Sequence, residues 1–307
     1  MSRPPLAVGW ARPRAAGSAL GVLWRFSRPH TLIGTTLSIV ALYAIAISAD
    51  RASDVFDLVL TLVAGACVNV FIVGINQVMD VEIDRLNKPW LPIAAGELSL
   101  PTAQRIVFVA AVAPLAMAAT QGAVELIAVT VALVIGWAYS CPPLRLKRYA
   151  ALAAGCITFV RSLVVNLGVW LHVAGAPVIA GVWALTLVTV PFSFAIAVLK
   201  DVPDIRGDRR FGIATWSVRL GPGPVMAVGV GALTAAGLGM ALAGALVLDG
   251  ASPVVLLAGN LAGVAALWRW AWRVDPHDPV AFTAFYMRVW QLFFGEYALV
   301  AVAYLIG

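Results

Sequence analysis

Two short acidic stretches have the spacing of a cation site. Asn76-Gln77-Val78-Met79-Asp80-Val81-Glu82-Ile83-Asp84 sets Asn76, Asp80 and Asp84 four residues apart. On a helix that interval puts their side chains on one face, about 6 Å apart per step. Two carboxylates and an amide oxygen in one stripe are hard oxygen ligands and suit Mg²⁺. Lys200-Asp201-Val202-Pro203-Asp204-Ile205-Arg206-Gly207-Asp208 repeats the interval at Asp204 and Asp208, with Asp201 a turn earlier. Pro203 fits a helix's first turn or kinks a continuing one. A third stretch, Tyr139-Ser140-Cys141-Pro142-Pro143-Leu144-Arg145-Leu146-Lys147-Arg148, turns at its prolines and ends in cations. Arg145 and Lys147 can hold non-bridging phosphate oxygens. Opposed acidic clusters repel unless cations lie between them, and a diphosphate bridged by Mg²⁺ fits that space. Each stretch alone also reads as ordinary solvated charge ending a helix. The matched spacing and shared side favour the site.

The elements that carry these stretches are membrane helices. The 307 residues are 62% hydrophobic and only 12% charged, against about 25% charged in a soluble domain. Apolar runs cover residues 20–48, 56–80, 103–120, 124–140, 150–172, 178–200, 222–248, 253–272 and 283–305. Most reach the ~17–25 residues a helix needs to cross hydrocarbon. The reading is therefore an all-α polytopic membrane protein of about nine transmembrane helices, with residues 20–307 as a single transmembrane domain. Strands are excluded because open sheet edges cannot face lipid. No soluble domain fits in the connections.

Charge orients the helices. Arg25 and Arg28 open the first run, Arg85 and Lys88 follow the second, Arg145 to Arg148 follow the fourth, and Lys200 to Arg219 follow the sixth. These alternate connections lie on one side, and the opposite side has little besides Arg51. The positive-inside rule puts that basic side and the amino terminus in the cytoplasm. Both acidic stretches then face the cytoplasm, in a cell membrane. The net charge of +6 reflects this topology and does not call for nucleic acid. Residues 1–19, with Pro4, Pro5 and Pro13, read as a loosely ordered cytoplasmic leader and not a cleaved signal, because the apolar run behind them exceeds an h-region. Cys67, Cys141 and Cys156 read as small buried residues.

The stretches also resemble a known family. An N-x₃-D-x₃-D motif after the second span and a D-x₃-D motif after the sixth are those of the UbiA superfamily of intramembrane prenyltransferases. The wording of NQVMDVEIDRLNKPWLPIAAGELS (76–99), YSCPPLRLKR (139–148), KDVPDIRGDRRFGIATWSVRLG (200–221) and RPHTLIG (28–34) is similar to its homogentisate prenyltransferase branch. The resemblance runs from about residue 25 to the last span and rests on hydropathy alone beyond about 225. One departure is Gln77, where many members carry a second aspartate, so Gln77 is not counted as a ligand.

The resemblance implies helices around a central cavity that opens to lipid, with caps formed by cytoplasmic loops. It implies Mg²⁺-dependent transfer of an isoprenyl group from its diphosphate to a phenolic, homogentisate-like acceptor. Asn76, Asp80, Asp84, Asp204 and Asp208 are the expected metal ligands. Arg145, Lys147, Tyr139, Lys200 and Asp201 are expected at the diphosphate. Asp80 or Asp204 is the candidate base for the phenol. Trp137, Phe192 and Phe194 are candidate walls for the allylic cation. Arg28 and His30 open the first span and Arg161 lies inside another, so these three are the acceptor candidates. An intramembrane arginine is otherwise expected to pair with a buried acid such as Glu125 or Glu296. The alternatives are another acceptor (4-hydroxybenzoate, another phenol, a chlorophyll or haem precursor), a terpene cyclase of the same fold, and an ion-coupled transporter.

Overall fold

The computed structural model describes residues 18–51 and 54–307. Of the leader expected over 1–19, residues 1–17 lie outside the described residues. Ser18 Oγ caps the first helix by accepting from the Gly21 N–H at 3.2 Å. That helix, α1 (Ala19–Phe26), buries Val22 and Phe26 and exposes Leu20, Leu23 and Trp24, an amphipathic pattern suited to a membrane surface. The first apolar run is therefore not one span, as the sequence suggests. Pro29 starts a new helix, α2 (Pro29–Ser48), and Arg28 before it turns into left-handed backbone at φ 50°.

The other elements follow in order. Helix α3 (Val55–Met79) stops where Asp80 leaves helical geometry, and α4 (Val81–Asn87) restarts at once. Gly122, at φ 123°, divides α5 (Leu100–Gln121) from α6 (Ala123–Ser140). A 3₁₀ turn (Leu146–Arg148) leads to a rod made of α7 (Ala150–Thr158), a π turn (Phe159–Val164) and α8 (Val165–Ala174). Then come α9 (Ala180–Leu199), the short α10 (Ile205–Arg210) and α11 (Trp216–Leu220), and the long α12 (Pro222–Leu246), α13 (Pro253–Ala271) and α14 (Pro279–Leu305).

Among the described residues, eight rods are long and apolar enough to cross a membrane. The ninth long helix, α14, has 27 residues but carries Arg288 and Glu296. Neighbours in space run α2, α3, α5 and α6, then α8, α9, α12, α13 and α14, and α14 packs back on α2. The helices thus close into a ring. Its outward faces keep Phe108, Ile127, Leu187 and Leu242 exposed, as lipid contact allows. Close approach of α12 to α13 depends on glycine, since a Cβ at Gly237 would lie 2.7 Å from Val264 and one at Gly244 2.6 Å from Leu256. Polar bonds tie the interior. Asn166 Nδ2 donates to Thr189 Oγ1 at 3.0 Å, Tyr297 Oη donates to Asn166 Oδ1 at 2.8 Å, and Ser162 Oγ donates to the Thr189 carbonyl at 2.8 Å. Such bonds hold helices together where apolar burial offers little.

Candidate active site

Asp80 sits at the break between α3 and α4, so the three residues of the first motif do not share one straight helix. Met79 ends α3, Asp80 turns at φ −115°, ψ 20°, and Asp84 lies in α4. The turn aims the Asp80 carboxylate at the loop after α6. Arg145 Nη2 donates to Asp80 Oδ1 at 2.9 Å, and the Lys147 ammonium is bonded to Oδ2. Asn76 Nδ2 donates to the same Oδ2 at 3.2 Å. Arg145 holds left-handed backbone at φ 39°, a costly conformation away from glycine. Burial pushes the Lys147 ammonium pKa down, against the pull of Asp80. Gln77 points away from this group, since its Nε2 donates to the Phe26 carbonyl at 2.8 Å.

The second motif is a turn, not a continued helix. Residues 201–204 leave α9, and Asp204 precedes α10. Asp204 is ion-paired with Lys88 from the loop after α4. Lys200 Nζ donates to Asp201 Oδ1 at 2.7 Å and lies 3.4 Å from the Tyr139 hydroxyl. Burial opposes the Lys200 charge, but Asp201 and Tyr139 outweigh it and hold its pKa well above the ordinary value.

The two motifs meet because α4 packs on α10 and because Tyr149 bridges to Ala214 in a parallel pair. Asp84 is buried, and its pKa is pushed up to about 6. Burial is the main cause; Lys88 and Arg28 oppose it, and Asp80 and Asp204 add to it. Asp208 is pushed up to about 7 by burial, then by Asp201 and Asp204. Carboxylates from both motifs therefore act on one another. Among the described residues no three acidic, histidine or cysteine side chains form a ready cation cage, because Asp80 and Asp204 are turned to lysine and arginine. Asp84 is the exception: its Oδ2 is buried without a partner. A hard divalent cation fits this set of oxygens, which is rich in carboxylate and has one buried oxygen left over.

The acceptor candidates converge deeper in the ring. Arg161 lies in the π turn, a distortion common at functional sites. Its guanidinium is 4.6 Å from the Trp290 ring and 5.5 Å from Phe293, and it pairs with neither Glu125 nor Glu296. Stacking over an aromatic face supports a desolvated cation. The His30 ring meets Trp290 edge-on at 5.0 Å, and the charges of Arg28 and Arg161 both bear on it. Arg161, Thr31 and Ser38 line a cavity among α2, α3, α6 and α8.

The expected walls do not line that cavity. Trp137 is 42% exposed and Phe194 packs on Trp216. Phe192 meets Phe293 and lines a separate crevice beside α12 and α13. The sequence alone does not single out Trp290, Phe293 or Lys88 as site residues. Lys88 follows the first motif by four residues, a signal that was available. Nothing local marks Trp290 in a run of similar residues.

These features define an integral membrane protein of ringed helices, with two acidic motifs and their cations brought together at one end of the ring. The chain belongs to the UbiA prenyltransferase family, whose signature matches residues 37–292. It is 42% identical to the homogentisate phytyltransferase of Synechocystis, over 93% of this chain and 96% of that protein. It is 36% identical to the homogentisate geranylgeranyltransferase of Triticum aestivum, over 92% of this chain and 72% of that one. The fold matches a UbiA homologue from Archaeoglobus fulgidus bound to GPP and Mg²⁺, with TM-score 0.66, 20% identity and coverage of 92% and 99%. The family assignment displaces the transporter alternative.

Proposed function

We propose that this chain transfers an isoprenyl group from an isoprenyl diphosphate to a homogentisate-type phenol, releasing diphosphate, in a Mg²⁺-dependent reaction. The observation that carries the reading is the meeting of Asp80 and Asp84 with Asp204 and Asp208, among Arg145, Lys147, Lys88 and Lys200. Asn76 and these four aspartates would hold Mg²⁺, which when bound neutralises phosphate oxygens and eases departure of the diphosphate. Arg145 and Lys147 stabilise the negative charge that grows on the leaving group, with Lys200, Asp201 and Tyr139 beside it. The cavity below excludes water, and the faces of Trp290 and Phe293 are suited to positive charge. Arg161, with Arg28 and His30, binds the acceptor carboxylate. Asp80 or Asp204 takes the phenol proton. The substrates for which the relatives are named support the donor and acceptor classes.

The basic loops support a site on the cytoplasmic face of a cell membrane, with residues 20–307 read as one catalytic domain and a short leader before it. The test is incubation of membranes holding the full chain with labelled prenyl diphosphate, phenolic acids and Mg²⁺. A product of prenylated mass, lost on chelation, is expected. Absence of product from homogentisate, 4-hydroxybenzoate and related phenols at every donor length would sink the reading.

A further inference from the structure

The cavity lined by Arg161 and Thr31 has a polar knot beside it. Gln121 Nε2 donates to Asp57 Oδ1 at 2.9 Å and to Thr61 Oγ1 at 2.9 Å. His172 Nε2 lies 3.1 Å from Asp57 Oδ1. The charges of His172 and Asp57 bear on Glu125, which is buried. Three helices, α3, α5 and α8, are thereby tied at one level, with Glu125 of α6 beside them. Thr61 and Glu125 also line the cavity itself, whose sides are mainly apolar, with Ile39, Ile72 and Val129 among them, interrupted by Thr35, Ser38 and Asn69.

Hydrocarbon can follow the apolar sides but cannot enter the knot without stripping bonded polar groups of their partners. The cross-bonding keeps the knot from parting. We infer that Thr61 and Glu125, backed by Asp57, Gln121 and His172, are the floor of the prenyl-chain pocket and limit how long a chain lies straight in it; this rests on the transferase reading above. The depth follows from α3, which carries both ends of the distance. Asp80 and Thr61 are nineteen residues apart, or about 28 Å at the helical rise. The α3 residues that line the cavity, Val73 to Thr61, leave about 18 Å of this for the chain at the helical rise. An isoprene unit adds four carbon–carbon bonds, about 5 Å when extended. Four units fill the space. Nine units have to bend out between helices.

The experiment measures kcat/KM in the full-length protein for donors of two, four and nine isoprene units with one acceptor. The wild type is expected to prefer four units over nine by about tenfold or more, the scale on which pocket size discriminates. Glu125→Ala lowers the floor and should raise the nine-to-four ratio about fivefold. Ala132→Leu, two turns up the wall from Glu125, should cut the four-to-two ratio about tenfold. Thermal unfolding in detergent confirms that each variant is folded, and the second variant serves if the first is not. Donor ranking unchanged in a folded variant overturns the floor while leaving the transferase reading intact. No transfer from any donor by the wild type removes that reading, and the floor with it.

Discussion

Asn87 in α4 lies against the bare Cα of Gly207 in α10, so close that a Cβ at 207 would be 1.9 Å from Asn87 Oδ1. This contact is where the two acidic motifs are pressed together. Gly207→Ala should displace the Asn87 amide, loosen the seat of α4 on α10 and lower kcat/KM about tenfold, with little loss of thermal stability. Asn87→Gly in the same chain should restore most of the loss, because it removes the group that clashes. Equal activity of Gly207→Ala and wild type would show that the close contact does not set the site.

Asp80 and Asp204 each hold cations drawn from distant loops. Asp80→Ala and Asp204→Ala should each reduce turnover by about 100-fold or more, as expected for groups acting on developing charge, while the protein stays folded in detergent. Asp80→Ala also leaves Arg145 and the buried Lys147 without their partner. Some destabilisation is therefore expected there. Near-normal turnover in either variant removes that aspartate from the site.

Asp84 and Asp208, held near 6 and 7 chiefly by burial, set a pH dependence. A raised carboxyl pKa means that the folded state binds more protons than the unfolded one. Stability from these groups is thus full below about pH 4 and is lost as pH rises through 6 and 7. Metal binding runs the other way, since it requires ionised carboxylates. The metal-free protein should melt at lower temperature at pH 8 than at pH 5, and the Mg²⁺ concentration for half-maximal activity should fall over that interval. Asp84→Asn should flatten the first trend. A half-saturation constant that does not change with pH would contradict this assignment.

Arg161 separates acceptor binding from donor binding. Arg161→Met should raise the acceptor KM about tenfold, roughly 1.4 kcal/mol of binding, and leave the donor KM within about twofold. An acceptor lacking its carboxylate should show no such difference between variant and wild type. Trp290→Leu removes the ring beneath the guanidinium and should give a similar but smaller effect, as a stack of about 1–2 kcal/mol would. Parallel changes in both KM values would point instead to a general disturbance of the ring.

Much of this was legible in sequence because membranes impose local rules. A helix in lipid satisfies its own backbone, so hydropathy alone marks the rods. The four-residue spacing of Asn76, Asp80 and Asp84, and of Asp204 and Asp208, marks the chemistry, and the basic loops mark a common side. The break at Arg28 had a local signal in Pro29, which disfavours helical backbone at the residue before it. The break at Asp80 was not legible, since nothing in residues 76–84 interrupts a helical pattern. Nor could the sequence show that Lys88 reaches Asp204, that Arg161 rests on Trp290 and not on a glutamate, or that Gln121, Asp57 and His172 bond one another. Each of those pairs is made by helices far apart in the chain. Which side chains meet depends on how the ring closes, with α14 against α2 and α4 against α10, and only packing of the whole settles that.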